Sequence, residues 1–319
     1  MKRFQVWGLR ALLVTAVSLS GCASLPDPGY ESALPAALPQ RVELVAVPFH
    51  PQQDYQCGPA ALATVLGHAG VARTPEQLVA EVYLPQRQGS LQLEMLGATR
   101  RAGLLPYRLE GTPQALLAEL AAGYPVVVLQ NLRLDAWPQW HYAVVVGYDR
   151  TERQFVLRSG QDQRRLMGFD EFDRSWARAD RWAFVALPPD RLPATAREQD
   201  FVAAATVLER TAPAAAAQAY QAALAAWPGQ PMARLALGNL AYRERKLAVA
   251  ETHYHQATLD HPEAADAWNN LAQVRHERGQ QAAARMAAAK AVALGGPRLA
   301  VYQTTLSGIE AILTPSSAP

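Results

Sequence analysis

A chain of 319 residues is long enough for about two domains with cores of their own. Its composition, 50% hydrophobic and 18% charged, excludes a disordered charged arm. Thirty Lys and Arg stand against 28 Asp and Glu, a net charge of +2, so charge indicates no nucleic-acid or other polyanionic partner. Two cysteines exclude a disulfide-stapled scaffold and a four-thiolate zinc site, and each has to be explained separately.

Residues 1–22 place Lys2, Arg3 and Arg10 ahead of an apolar run from Ala11 to Val17, which is too short to span a bilayer and ends at Ser18, Ser20, Gly21 and Cys22. This is the pattern of an export signal. Its last four residues, Leu19 to Cys22, resemble the lipobox of bacterial lipoproteins, which implies that Cys22 is acylated and becomes the mature N-terminus. With Ala23 next, the resemblance implies a cell-envelope protein held by a lipid anchor in the outer membrane and facing the periplasm. Residues 23–41, with Pro26, Pro28, Pro35 and Pro39 and no apolar period, read as a flexible tether.

From 42 to 188 short strands mix with helices. Tyr124–Leu129, Tyr142–Tyr148, Phe155–Leu157 and Trp182–Leu187 are rich in β-branched and aromatic residues and read as strands. Helices are expected after Cys57, around Glu94–Arg101, over Gln114–Ala121 and over Asp170–Trp176. The pattern is that of an α+β domain. Pro188, Pro189 and Pro193 break it, so 189–200 reads as a linker, 201–313 as a strandless Ala-rich domain and 314–319 as a tail.

The Ala-rich domain repeats. Tyr220 and Tyr254, Pro228 and Pro262, and Leu237 and Leu271 are each 34 residues apart; Ala216, Ala250 and Ala284, and Ala223, Ala257 and Ala291, keep the same step. Several residue types at one period predict a solenoid of helix pairs. It resembles the tetratricopeptide repeat, with Leu237, Gly238 and Tyr242 standing where that repeat places its Leu, Gly and Tyr, and Trp268, Asn270 and Leu271 opening the next copy.

The chemistry concentrates in two segments. In Gln52-Gln53-Asp54-Tyr55-Gln56-Cys57-Gly58-Pro59, followed by Leu62, Val65 and Leu66 at helical spacing, Cys57 falls at a helix N-terminus. Unpaired N–H groups there favour a thiolate, the form that attacks a carbonyl; the plainer alternative is a small core cysteine. A thiol nucleophile needs a base. His141, at the mouth of the strand Tyr142–Tyr148, can hold the thiolate and protonate a leaving amine, whereas His50 and His68 and the four histidines of the repeats fit this role less well. No phosphate loop or metal-ligand spacing is present, so no cofactor and no metal are indicated. Gln163-Arg164-Arg165 and Trp137, Trp140, Trp176 and Trp182 could line a peptide cleft, though a solvated face and core packing are the commoner roles.

Gln52 to Leu62 together with His141 to Tyr148 resemble the papain-like cysteine peptidases of family C39, which process bacteriocin leader peptides; the resemblance covers about 42–188. It implies a papain-like α+β cysteine peptidase domain, ahead of an all-α tetratricopeptide solenoid. It also implies that Gln52, with Gln53 as second choice, donates to the oxyanion. The family's third member is an Asp or Asn on the next strand. Here that strand reads Phe155-Val156-Leu157-Arg158-Ser159-Gly160, so either Ser159 supports the imidazole or Asp162 reaches it from the following loop. The function implied is hydrolysis of a peptide or amide bond in a peptide or protein substrate, with the repeats docking a protein partner and the anchor holding the membrane. The alternatives are a catalytically impaired adaptor, and an amidase or acyl transferase acting on cell-wall peptides.

Overall fold

The computed structural model describes residues 38–52 and 55–313. The export signal with Cys22, the tether before Leu38, Gln53 and the tail from 314 lie outside them.

The N-terminal domain is built on an antiparallel sheet. Its strands are β1 (Arg41–Glu43), β2 (Leu105–Arg108), β3 (Val126–Asn131), β4 (Trp140–Asp149), β5 (Gln154–Ser159), β6 (Asp162–Gly168) and β7 (Ala183–Leu187). They run in the order β2-β7-β3-β4-β5-β6, and β1 pairs with the far end of β4, Arg41 opposite Asp149. β4 is apolar on both faces because both are covered, which is what its unbroken Tyr-Ala-Val-Val-Val run requires. On one face Tyr142, Val144 and Val146 pack against α1 (Cys57–His68) in a core that α2 (Pro75–Val82) and α3 (Gln92–Arg101) share. Ala143 and Val145 meet α4 (Pro113–Ala121) and α5 (Phe169–Ala177) on the other.

That second core does not stop at the domain edge. It runs on through Phe201, Val202, Ala205, Leu208, Tyr220 and Leu237 of the first repeat helices. α6 (Glu198–Glu209) begins inside the segment read as linker, and the residues before it are held by Glu119 of α4, which is fully buried. Its carboxylate accepts from Ala194 N at 3.0 Å and from Thr195 N and Oγ1 at 2.8 and 2.6 Å. Burial pushes this carboxyl up, and the three donors pull it back.

The rest is all helix: α7 (Pro213–Ala226), α8 (Pro231–Arg243), α9 (Leu247–Asp260), α10 (Ala265–Glu277), α11 (Gln281–Leu294) and α12 (Leu299–Leu313). The 34-residue step is a packing rule. Ala216, Ala250 and Ala284 are all buried, as are Ala223, Ala257 and Ala291, so small side chains let paired helices approach. A Cβ at Gly238 would stand 2.5 Å from the Tyr254 ring, which restricts that position to glycine. Tyr242 packs at the edge of the repeat core. It is only partly buried and donates to Glu277 of the next repeat, while its neighbour Ala241 fills the core position. No helix among the described residues is long and apolar enough to cross a membrane.

Candidate active site

α1 presents Cys57 because Gly58 lets it. A Cβ at position 58 would lie 2.3 Å from Ser90 Oγ, so only glycine allows the loop before α3 to close over the helix start. Just upstream Tyr55 holds φ at 61°, a left-handed conformation that costs a non-glycine residue on the order of 1–3 kcal/mol and aims the chain into the helix. Cys57 itself is 9% exposed and belongs to the core cluster between helix and sheet. It is therefore both the packed cysteine of the plainer expectation and a lining residue of a crevice.

That crevice, with only about 10 Å³ of free space, is lined by Cys57, Ala61 and Thr64 of α1, Tyr142 and Val144 of β4, Arg158 and Ser159 of β5, and His50, Gln52 and Gly160 from the loops. Gln52 is brought there by the β5–β6 turn. Its N–H donates to Gly160 O at 3.0 Å, and its carbonyl accepts from the Gln161 side chain. His141 opens β4, one residue before Tyr142, and its Nε2 lies 2.8 Å from Ser159 Oγ. With the Nε2 proton given to that oxygen, Nδ1 keeps its lone pair, the form a base needs.

Asp162, the alternative third member, sits exposed opposite Ser159 at the start of β6 and makes no hydrogen bond to His141 among the described residues. Ser159 is the partner. A hydroxyl orients an imidazole but supplies no charge to stabilise the imidazolium.

The electrostatics correct one expectation. Burial pushes the Cys57 thiol up, and the N–H groups of Tyr142, Gly58 and Cys57 itself pull it back by less. The helix N-terminus does favour thiolate, as its position implies, but desolvation of the packed sulfur wins. Burial, with the Arg165 charge adding to it, lowers His141 from 6.5 to about 4. Among the described residues no hydrogen bond joins thiol to imidazole, and burial favours the uncharged form of each.

Sequence reasoning set aside His50, which lines the crevice, and missed Arg158, only 6% exposed. The Arg158 guanidinium donates to the carbonyls of Gln163, Val45 and Val47 and fixes the loop before Phe49 onto β5. No motif marks it; only the strand pairing places it there. Of the four tryptophans, Trp176 and Trp182 are core, while Trp137 and Trp140 are exposed. In the basic stretch Arg164 is paired with Glu43, and Arg165 faces solvent.

The model of the Peptidase_C39 like family matches residues 44–183, and that of the tetratricopeptide repeat matches 203–252 and 235–298. The chain carries a C39-like peptidase domain followed by tetratricopeptide repeats. The C39-like domain is similar to several solved structures. A protein assigned as a C39-like peptidase from Bacillus anthracis is 18% identical, over 46% of this chain and 97% of that one, with a TM-score of 0.39. A double glycine motif protease from an AMS/PCAT transporter, solved with its leader peptide, is 23% identical over 44% and 90%, with a TM-score of 0.33. The peptidase domain of Streptococcus ComA, a bi-functional ABC transporter of a quorum-sensing pathway, is 21% identical over 44% and 98%, with a TM-score of 0.36. No curated protein matches the chain.

Proposed function

We propose that the C39-like domain is a working cysteine peptidase in which Cys57 attacks a peptide carbonyl. His141 takes the thiol proton on Nδ1 and returns it to the leaving amine, and Ser159 holds the ring. The Gln52 side chain and the Cys57 N–H receive the oxyanion. The observation that carries this reading is the convergence of Gln52, Cys57 and Ser159 on one crevice, with Ser159 bonded to the histidine that precedes Tyr142. The proton passes within a neutral pair, so attack and proton transfer proceed together, and substrate has to displace the packing over the sulfur. The protein is exported, anchored through Cys22 in the outer membrane facing the periplasm, and uses its repeats to dock a protein partner.

A second reading is supported by the same site. With no carboxylate on His141 and the thiol held neutral, the domain would serve as a catalytically impaired adaptor. Turnover of quenched peptide pools by the full chain separates the two. The peptidase reading expects hydrolysis that falls by at least about 10³-fold in Cys57→Ala with folding unchanged; equal rates in wild type and variant would leave the adaptor.

A further inference from the structure

The β3–β4 turn, which ends two residues before His141, carries an open depression that shares no lining residue with the crevice at Cys57. Leu132, Arg133, Leu134, Trp137 and Arg178 line this depression of about 410 Å³. The turn is built to hold it. Asn131 Oδ1 accepts from Arg133 N at 3.1 Å and Gln139 N at 3.0 Å, and Leu134 bridges to Trp137. Arg178, at the end of α5, donates from Nε and Nη2 to Asn131 O at 3.2 and 2.9 Å, leaving Nη1 without a partner among the described residues. No carboxylate among those residues pairs with Arg133 or Arg178. Leu134 and Trp137 are 66% and 74% exposed. Two guanidiniums without an ion pair beside three large apolar side chains, with Asp135 of the same turn outside the lining, suit a group that is anionic on one side and apolar on the other.

The position in the fold says which end of a substrate this is, taking the peptidase reading as given. The scissile C–N bond breaks as the S–C bond to Cys57 forms. The acyl part stays on sulfur, the thiol proton passes through His141 to the departing nitrogen, and water later frees the acyl part. The chain beyond the cut therefore lies on the His141 side. His141 pairs with Gln130 across β3–β4, and Leu132 is two residues further along, about 7 Å at the rise of a strand. A carboxylate and an apolar side chain borne on one Cα, within two or three residues of the cut, are what the last residue of a peptide offers.

We propose that this pocket binds the free carboxyl terminus of the substrate, with Arg133 and Arg178 on the carboxylate and Leu132, Leu134 and Trp137 on an apolar last side chain. The enzyme then removes a short C-terminal piece.

The test uses the full chain carrying Cys57→Ala and N-terminally labelled peptide pools ending in Leu or Phe, read by fluorescence anisotropy. The pools are supplied as free acids, as amides, and as amides with an internal Glu. The free acids are expected to bind about tenfold or more tighter than either amide, and Arg133→Gln is expected to erase that preference. Arg178→Gln should do the same, and circular dichroism checks that both variants fold. Equal binding of acid and amide, binding of none of the pools, equal binding of the internal-Glu amide, or a preference that survives both substitutions overturns the proposal. Because the readout needs no turnover, the two failures differ. A failed peptidase reading leaves acid-selective binding with no hydrolysis in wild type, and a failed pocket leaves hydrolysis indifferent to the carboxyl terminus.

Discussion

At the junction of α4 with the repeats, the buried carboxylate of Glu119 has both oxygens answered by the backbone and side chain of 194–195, and one apolar core continues across the domain boundary. At the mouth of β4 the opposite holds. Ser90 Oγ and Arg158 Nε are buried without partners among the described residues, His141 rests on a hydroxyl instead of a carboxylate, and Leu134, Trp137 and Trp140 face solvent. The first region is saturated and holds the molecule together. The second leaves buried polar atoms unanswered and large apolar side chains in solvent, the contrast expected between a site and a joint under the proposed function.

Removing the joint gives the largest expected effect on stability. Glu119→Ala orphans two backbone N–H groups and a hydroxyl, and should lower unfolding stability in urea by about 3 kcal/mol or more. Peptide turnover per folded molecule should stay near wild type, and a loss of turnover as steep as that of Cys57→Ala would erase the distinction between joint and site. At the site, stability should depend on pH through His141. Its folded value is about 4 against 6.5, so the unfolded chain takes up the proton first as pH falls. Stability is unaffected above 6.5 and falls by on the order of 3 kcal/mol as pH drops from 6.5 towards 4. Urea unfolding of wild type and His141→Asn at pH 7 and pH 5 reads about 2 kcal/mol of this loss, which the variant should lack.

Smaller effects sharpen the comparison. Gly58→Ala places a Cβ against Ser90 and should cost about 1–3 kcal/mol by urea unfolding, together with turnover. Ser159→Ala frees the imidazole and should lower kcat about tenfold with KM little changed. Ser159→Asp should raise both kcat and the pH at which His141 titrates, read by NMR; a fall in both would mean that the hydroxyl is the group the site is built for.

Much of this was legible in the sequence, and the exceptions have physical causes. The 34-residue step marked the solenoid because each repeated Ala fills the same contact, and Cys57-Gly58-Pro59 marked the helix start because glycine alone fits under Ser90. β6 was missed because it is an edge strand whose Gln163, Arg164 and Arg165 are solvated, so no apolar alternation betrays it and only pairing with β5 makes it a strand. α2 was missed although Thr74 and Gln77 form a capping box at its start, since its apolar face is only Leu78 and Val82. The thiolate expected at Cys57 followed from the helix terminus, a local feature, whereas the burial that opposes it comes from packing against β4, which a local pattern does not carry. The continuous core across 189–200 is invisible for the same reason.

The most direct measurement is covalent labelling of the full chain with a peptidyl chloromethyl ketone, with the adduct mapped by mass spectrometry in wild type and in His141→Ala. The account predicts a single adduct on Cys57 in wild type, formed at least about 100-fold more slowly without the imidazole. Labelling at equal rates in the two proteins, or no labelling of Cys57 at all, would contradict a nucleophile served by His141.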